Sequence, residues 1–395
     1  MTNVYCISSS LHLLFAQAVG YREKAKGAVN RLLYWSPDGQ TGFSERFRAM
    51  LLPGIWDEVT SLQEVESVYG YKSVWPGSGN RLTAVESRRR LVSAERKLTS
   101  SARLCSDKGN CRLFVCNPQA HIDRYLCSVG RRLGAEVTLL EEGLSIYFKE
   151  WPLGVHPDKV RVRSYLGRIA RSAFLSASRL NKRALLPGRF ICDPDFVFDS
   201  CIVTKPELVA GSNLARSTVS LLEYFTSDFV REQIASVRWG RDVLQAANLR
   251  TIEALYLTRP DSEDGFIPQA LEIRVVSEVL TELFRLYGSR LAVKVHPRDS
   301  MEKLRLIQRL LPQIRFIEED PLIPAELLLS KLHIKSCFSI WTGSLLYAQQ
   351  LFGVPSTSLL PTVVKMLSNE GLHVPTYELL QASLTPIFRH SFGWR

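Results

Sequence analysis

No stretch of this chain approaches the roughly 18–20 consecutive apolar residues of a membrane span, so no transmembrane helix is expected. The opening MTNVYCISSSLHLLFAQAVGY lacks the basic stretch of a signal peptide and reads as strand, Ser-rich turn and helix. The eight cysteines follow no framework spacing, which points to a reducing compartment and a cytoplasmic protein. No CxxC pair occurs among Cys105, Cys111, Cys116 and Cys127, so zinc is not expected there even with His121 close by. No GxGxxG follows the first strand and no Walker loop occurs anywhere, which argues against dinucleotide and ATP chemistry. Internal repeats and low-complexity segments are also missing.

What is present is a chain of 395 residues, 46% hydrophobic and 23% charged, the balance of a soluble globular protein with room for two cores. The formal charge of +11 asks for an anionic partner: nucleic acid, a membrane face or an anionic substrate. Charge alone does not choose among them.

The first part alternates strand-like and helix-like segments: strands at 4–8, 31–35, 113–117 and 135–140, helices at 11–20, 83–101 and 121–133. Such alternation predicts a parallel sheet with right-handed crossovers. Residues 151 to about 245 differ. A basic amphipathic segment at 160–183 is followed by an irregular stretch at 193–206 and a helical one at 218–249. From 251 the alternation resumes, with strands at the start of IEALYLTRP and at 291–295, 315–317 and 333–338, and helices at 270–287, 301–311, 325–331 and 344–352. The expected fold is α/β of the GT-B class, with two Rossmann-like domains and the active site in the cleft between them. The first domain would span 1–245, including the basic helical insert, and the second 246–395.

Ligands of parallel α/β folds bind at the carboxyl ends of strands. One apolar run there ends in Glu141-Glu142-Gly143, where a carboxylate held near buried structure can serve as a general base. A second acidic-acidic-Gly triplet, Glu263-Asp264-Gly265, shows that the triplet alone is weak evidence, and a solvated turn is the plain alternative for either. Another apolar run ends in Lys294, His296, Pro297 and Arg298, a cationic strand end suited to phosphate; a core or capping histidine is the alternative. The other His-Pro, His156-Pro157, has no strand ahead of it. Beyond these, Ser339, Thr342, Gly343 and Ser344 span a strand end, turn and helix start able to bind phosphate, or simply to cap the helix. Glu326, opening a helix after Pro324, would accept from ribose hydroxyls or complement the helix dipole. The single Asp-x-Asp, Asp193-Pro194-Asp195, lies away from this site, and no metal is expected.

An acidic-acidic-Gly triplet, a later His-Pro and a Ser/Thr turn beyond it resemble the bacterial CMP-sialic acid transferases, most of all the bacterial polysialyltransferase family. The opening ISSSLHLLFA, the stretch ALYLTRPDSED and the helix at Pro324 extend the resemblance over most of the chain. It implies an inverting, metal-independent transfer of sialic acid from CMP-sialic acid to a glycan hydroxyl, in surface polysaccharide or lipooligosaccharide synthesis, without a cofactor. It assigns Glu141 as base and His296 as phosphate ligand and leaving-group stabiliser. Thr342 and Ser344 would hold the same phosphate, and Glu326 the ribose. Glu142 and Gly143 complete the motif, and Ser9, His12 and Asn117 fall on the acceptor side. The family's paired hydroxyls here read Thr342-Gly343, and Arg259 stands where relatives often carry Gln. That substitution bears on donor choice and leaves CMP-Kdo or another nonulosonic acid as an alternative. The segment 160–183 would bind an anionic, lipid-linked acceptor or the inner membrane face, or be a solvated helix face. Nucleic acid is not expected as a partner. The rival of another class is a non-catalytic polyanion- or membrane-binding protein, although the charge is spread while the site residues fall at strand ends.

Overall fold

The computed structural model describes residues 1–35, 47–62, 100, 110–117, 121–147, 197–210, 212, 214–236, 251–317 and 324–388. The basic segment at 160–183, His156-Pro157, Cys105, Asp193-Pro194-Asp195 and all but one residue of the expected helix at 83–101 lie outside them. The chain divides into two compact units, one of Met1–Glu142 with Tyr165–Val237 and one of Gly143–Ser164 with Arg238–Arg395.

The first unit is built on seven strands: β1 (Thr2–Ile7), β2 (Val29–Tyr34), β3 (Glu58–Ser61), β4 (Cys111–Val115), β5 (Glu136–Leu140), β6 (Ser200–Val203) and β7 (Thr218–Ser220). They run in the order β3-β2-β1-β4-β5-β6-β7, every pairing parallel. β1 is central and buried along its whole length, as a strand covered on both faces must be. Its one side-chain amide, Asn3, donates to Asn30 on β2 at 3.1 Å, and Asn30 in turn donates to the Gly20 carbonyl at 2.8 Å, so Asn30 links β1 to the helix that follows it. Tyr5 stacks on Phe114 of β4 with ring centroids 4.4 Å apart, and burying each ring contributes about 1.5–3 kcal/mol. Helix α1 (Ser10–Ala25) begins where Ser9 caps it, and the chain leaves it through Gly27 at φ +81°. The remaining helices of this unit are α2 (His121–Arg132), the single turn α3 (Pro206–Val209) and α4 (Ser227–Ser236).

The second unit repeats the plan with five strands: β8 (Ala254–Leu257), β9 (Leu291–Lys294), β10 (Arg315–Ile317), β11 (Ser336–Ser339) and β12 (Ser356–Ser358). Their order is β10-β9-β8-β11-β12, again all parallel. The helices are α5 (Gln269–Tyr287), α6 (Met301–Leu310), α7 (Ala325–Lys331), α8 (Gly343–Phe352), α9 (Leu360–Asn369) and α10 (Pro375–Leu384). In α5 the buried side chains Val275, Val276, Val279, Leu280 and Leu283 recur at helical spacing and form one apolar stripe. In each unit the strand order reverses beside the first strand: between β1 and β4, and between β8 and β11. Those are the places where such folds put ligands.

The structure departs from the sequence pattern in three places. The stretch 193–206, irregular by its sequence, contains β6, whose short run Ser-Cys-Ile-Val is too brief to show a period. The stretch 218–249, helical by its pattern, opens with β7 and reaches α4 only at Ser227. β12 has no strand signature because Ser356-Thr357-Ser358 is polar; its serines are satisfied locally, Ser356 donating to Leu345 at 2.6 Å and Ser358 to Ile340 at 2.7 Å. No helix among the described residues is long and apolar enough to cross a membrane.

Candidate active site

At the carboxyl edge of the first sheet, β5 runs directly into Glu141. The Glu141 N–H continues the sheet ladder to Ile202 at 3.1 Å, which turns its side chain into the interior, where it is fully buried. Its Oε2 accepts from the backbone N–H of Thr204 at 2.5 Å and from the Thr204 hydroxyl at 2.6 Å. Two donors from the end of β6 thus fix the carboxylate; sequence alone gave no sign of Thr204, 63 positions away. Glu142 is partly exposed, and Gly143 follows at φ +140°, backbone that an L-residue adopts only with strain. This explains the glycine of the triplet.

Ser9, His12 and Asn117 gather at the same edge. Ser9 accepts from the His12 N–H at 3.1 Å as the cap of α1. The His12 ring lies 3.3 Å from the Ser8 hydroxyl through Nδ1 and is bonded to the backbone of Glu142, tying the first turn of α1 to the acidic turn. Burial pushes its pKa down to about 4 despite that bond, so the imidazole is neutral near pH 7. The Asn117 N–H donates to Asp123 at 2.7 Å, while the Cys6 thiol donates to the other oxygen at 3.2 Å. Asp123 was not singled out from sequence. Burial pushes its carboxyl up to about 6 against the pull of those donors, and it locks the β4 turn beside β1.

In the second unit β9 delivers His296, which is half-buried. Its Nδ1 accepts from the Arg298 N–H at 3.2 Å, so in the neutral ring the proton sits on Nε2 and is available to donate. Neutrality is enforced: burial first, then the cations Arg259, Arg298, Lys294 and Lys303, hold its pKa well below the usual histidine value. The His296 N–H is fixed by Thr258 at 2.8 Å and Asp299 at 3.0 Å. Asp299 also binds Lys303, whose Nζ lies 2.7 Å from Asp299, 2.7 Å from Glu272 and 2.8 Å from Glu263. Burial would lower the Lys303 pKa, but the three carboxylates, Asp299 foremost, raise it above the ordinary value. These three are the acidic group close enough to share an ion among the described residues, and the ammonium already stands at its centre. The second triplet is therefore an ion-pair hub: Glu263 pairs with Lys303, and Asp264 with Arg298 and Arg259. Burial alone would raise the Glu263 carboxyl, but Lys303 and the Ser300 N–H pull it down to about 2.

The cations expected to bind phosphate have prior partners. Lys294 is buried and donates to the Val295 carbonyl at 2.9 Å, Arg298 is paired with Asp264, and Pro297 is exposed at the turn. Ser339 is fully buried and its hydroxyl donates to Leu257 at 2.9 Å, bracing β11 to β8; it is a sheet tether and does not present its hydroxyl at the surface. Thr342 caps α8, accepting from the Ser344 N–H at 3.5 Å, and Gly343 and Ser344 form its first turn. A Cβ on Gly343 would stand 3.3 Å from the Tyr347 ring, so the glycine also serves close packing. Glu326 is buried in the first turn of α7. Burial raises its pKa while a bond to the Ser344 hydroxyl and the charge of Lys294 pull it back, and its Oε1 has no hydrogen-bond partner among the described residues. Arg259, after β8, lies with its guanidinium carbon 3.4 Å from the centroid of the Trp341 ring. The two edges therefore offer a fixed buried carboxylate in one unit, and in the other a neutral imidazole N–H with a helix N-terminus.

Comparison with known proteins supplies the class. The family described as Alpha-2,8-polysialyltransferase (POLYST) matches residues 51–361, well over half of the chain. No curated protein matches significantly. Among solved structures, UDP-GlcNAc 2-epimerase from Methanocaldococcus jannaschii is similar with a TM-score of 0.51 at 12% identity, covering 100% of this chain and 95% of that one. The GT-B domain of a sialyltransferase from Photobacterium damselae aligns with a TM-score of 0.41 at 11% identity over 87% of each chain. The likeness to the epimerase concerns the fold alone. The chain belongs to the alpha-2,8-polysialyltransferase family and is a sialyltransferase-type glycosyltransferase of GT-B fold.

Proposed function

We propose that this protein moves sialic acid from CMP-sialic acid to a glycan hydroxyl with inversion at the anomeric carbon and without a metal ion. The observation that carries the reading is the fixed tautomer of His296, which presents an uncharged Nε2–H donor at the end of β9. A leaving CMP gains negative charge on its phosphate oxygen as the glycosidic bond breaks. Donors already oriented for that charge stabilise it without reorganisation. His296 supplies one, and the first N–H groups of α8, capped by Thr342, supply others. Glu326 would accept from a ribose hydroxyl through Oε1, an acceptor otherwise costly to leave unmet.

In the first unit Glu141 would take the proton of the acceptor hydroxyl. The acceptor oxygen attacks the anomeric carbon, the bond from that carbon to the phosphate oxygen breaks, and its electron pair leaves with CMP. One displacement inverts the centre, and no enzyme nucleophile is needed. The acceptor in this reading is a glycan of surface polysaccharide or lipooligosaccharide synthesis, carried on lipid and met at the inner membrane face. CMP-Kdo or another nonulosonic acid donor would satisfy the same groups.

His296→Ala is the test. With a donor to the leaving phosphate gone, kcat for transfer should fall about 10²- to 10³-fold and the donor KM should rise. A variant with unchanged donor KM and kcat would remove His296 from the phosphate site.

A further inference from the structure

We propose that Arg259 binds the carboxylate of the donor's sugar, while His296 and the start of α8 take the adjoining phosphate; this rests on the function proposed above. β8 lies between β9 and β11 in the sheet, so the residue leaving it stands between the His296 turn and the Trp341-Thr342 turn. The side chain of Arg259 is held on three sides. Its guanidinium stacks on the buried Trp341 ring, its Nε donates to Asp261 at 3.1 Å, and one terminal nitrogen lies 3.8 Å from Asp264. Asp261 is fully buried and is fixed in turn by the Tyr377 hydroxyl at 2.8 Å. The other terminal nitrogen, Nη1, has no partner among the described residues, and the side chain retains 15% exposure. A guanidinium fixed on an aromatic face loses little entropy on taking one more anion.

The neighbouring cations have partners: Arg298 on Asp264, Lys303 among its carboxylates, and Lys294 on a backbone carbonyl. Arg259 keeps one donor, Nη1, without a partner among the described residues and is the one of these cations stacked on an aromatic ring there. The chemistry of the donor matches that need. In a CMP-linked nonulosonic acid the anomeric carbon bears a carboxylate beside the phosphate ester, so the donor brings two adjacent anions. Hexose donors linked to UDP or GDP carry no such carboxylate. In this chain an arginine next to the phosphate donors therefore favours a donor that carries that carboxylate, sialic acid and Kdo alike.

The test compares two ligands that differ by the sugar. In Arg259→Gln, which keeps a polar side chain but no charge, donor KM should rise about tenfold or more, the loss expected for a hydrogen bond to a charged group. The inhibition constant of CMP, which has phosphate and base but no sugar carboxylate, should stay within about twofold. Arg259→Lys, keeping the charge on the Trp341 face, should fall between Gln and wild type. An equal rise in the CMP constant would place Arg259 on the phosphate, and no change in either would deny it a ligand; both outcomes overturn the proposal. Wild-type protein that binds no CMP would instead defeat the proposed function itself.

Discussion

Replacing Glu141 by Gln is expected to lower sialyl transfer about 10²- to 10⁴-fold, the span attributed to a positioned general base, with CMP affinity intact. The substitution is nearly isosteric, and the amide oxygen can still accept from the two Thr204 donors that now hold Oε2. Folding should survive, which makes the activity loss interpretable. The separation of effects follows from placement: Glu141 belongs to the first unit's sheet edge, whereas the groups assigned to CMP belong to the second unit's. Glu142→Gln is the control, because Glu142 is partly exposed and meets His12 through its backbone. If Glu142→Gln abolished transfer and Glu141→Gln did not, the base would have to be reassigned.

Lys303→Met should be the most damaging single change to the second unit, costing about 3–5 kcal/mol, as expected when one partner of a buried ion network is removed. The ammonium is 2% exposed and faces Glu272 and Asp299, which are equally shielded. Methionine fills the volume but leaves three carboxylates in contact range with no counter-charge. Their pKa values in the folded variant must then rise. A raised folded pKa gives stability that is present at low pH and lost as pH climbs through it, so the deficit relative to wild type should shrink on going from pH 7 to pH 5. Asp299 also holds the His296 N–H at 3.0 Å, so donor KM should worsen along with stability. Urea unfolding of both proteins at the two pH values checks this. An unchanged midpoint would mean that the hub is solvated and does not organise the unit.

The strand ends that carry Glu141 and His296 were legible because each closes an apolar run with charged or titratable residues, a pattern with a direct physical meaning in parallel sheets. Both Rossmann-like units followed from the same alternation. The groups that hold those residues were not legible. Thr204 meets Glu141 across 63 positions, Asp123 meets Cys6 across 117, and Lys303 meets Glu272 across 31, distances at which no periodicity speaks. Residue type also says nothing of prior partners at Arg298 and Ser339. The cation is paired with Asp264, and the hydroxyl donates to the Leu257 carbonyl. The short polar β12 shows the same limit for the fold, since its strand character comes from pairing with β11 and not from its own side chains.

The most direct measurement is thermal stabilisation of the purified protein by CMP, set beside UMP, GMP and ADP, with no metal added. A ligand that binds only the folded state raises its stability, by about 2.7 kcal/mol at a concentration 100 times Kd. CMP alone should raise Tm. An equal shift with UMP, or no shift with any of the four, would contradict a CMP-linked donor at the His296 edge.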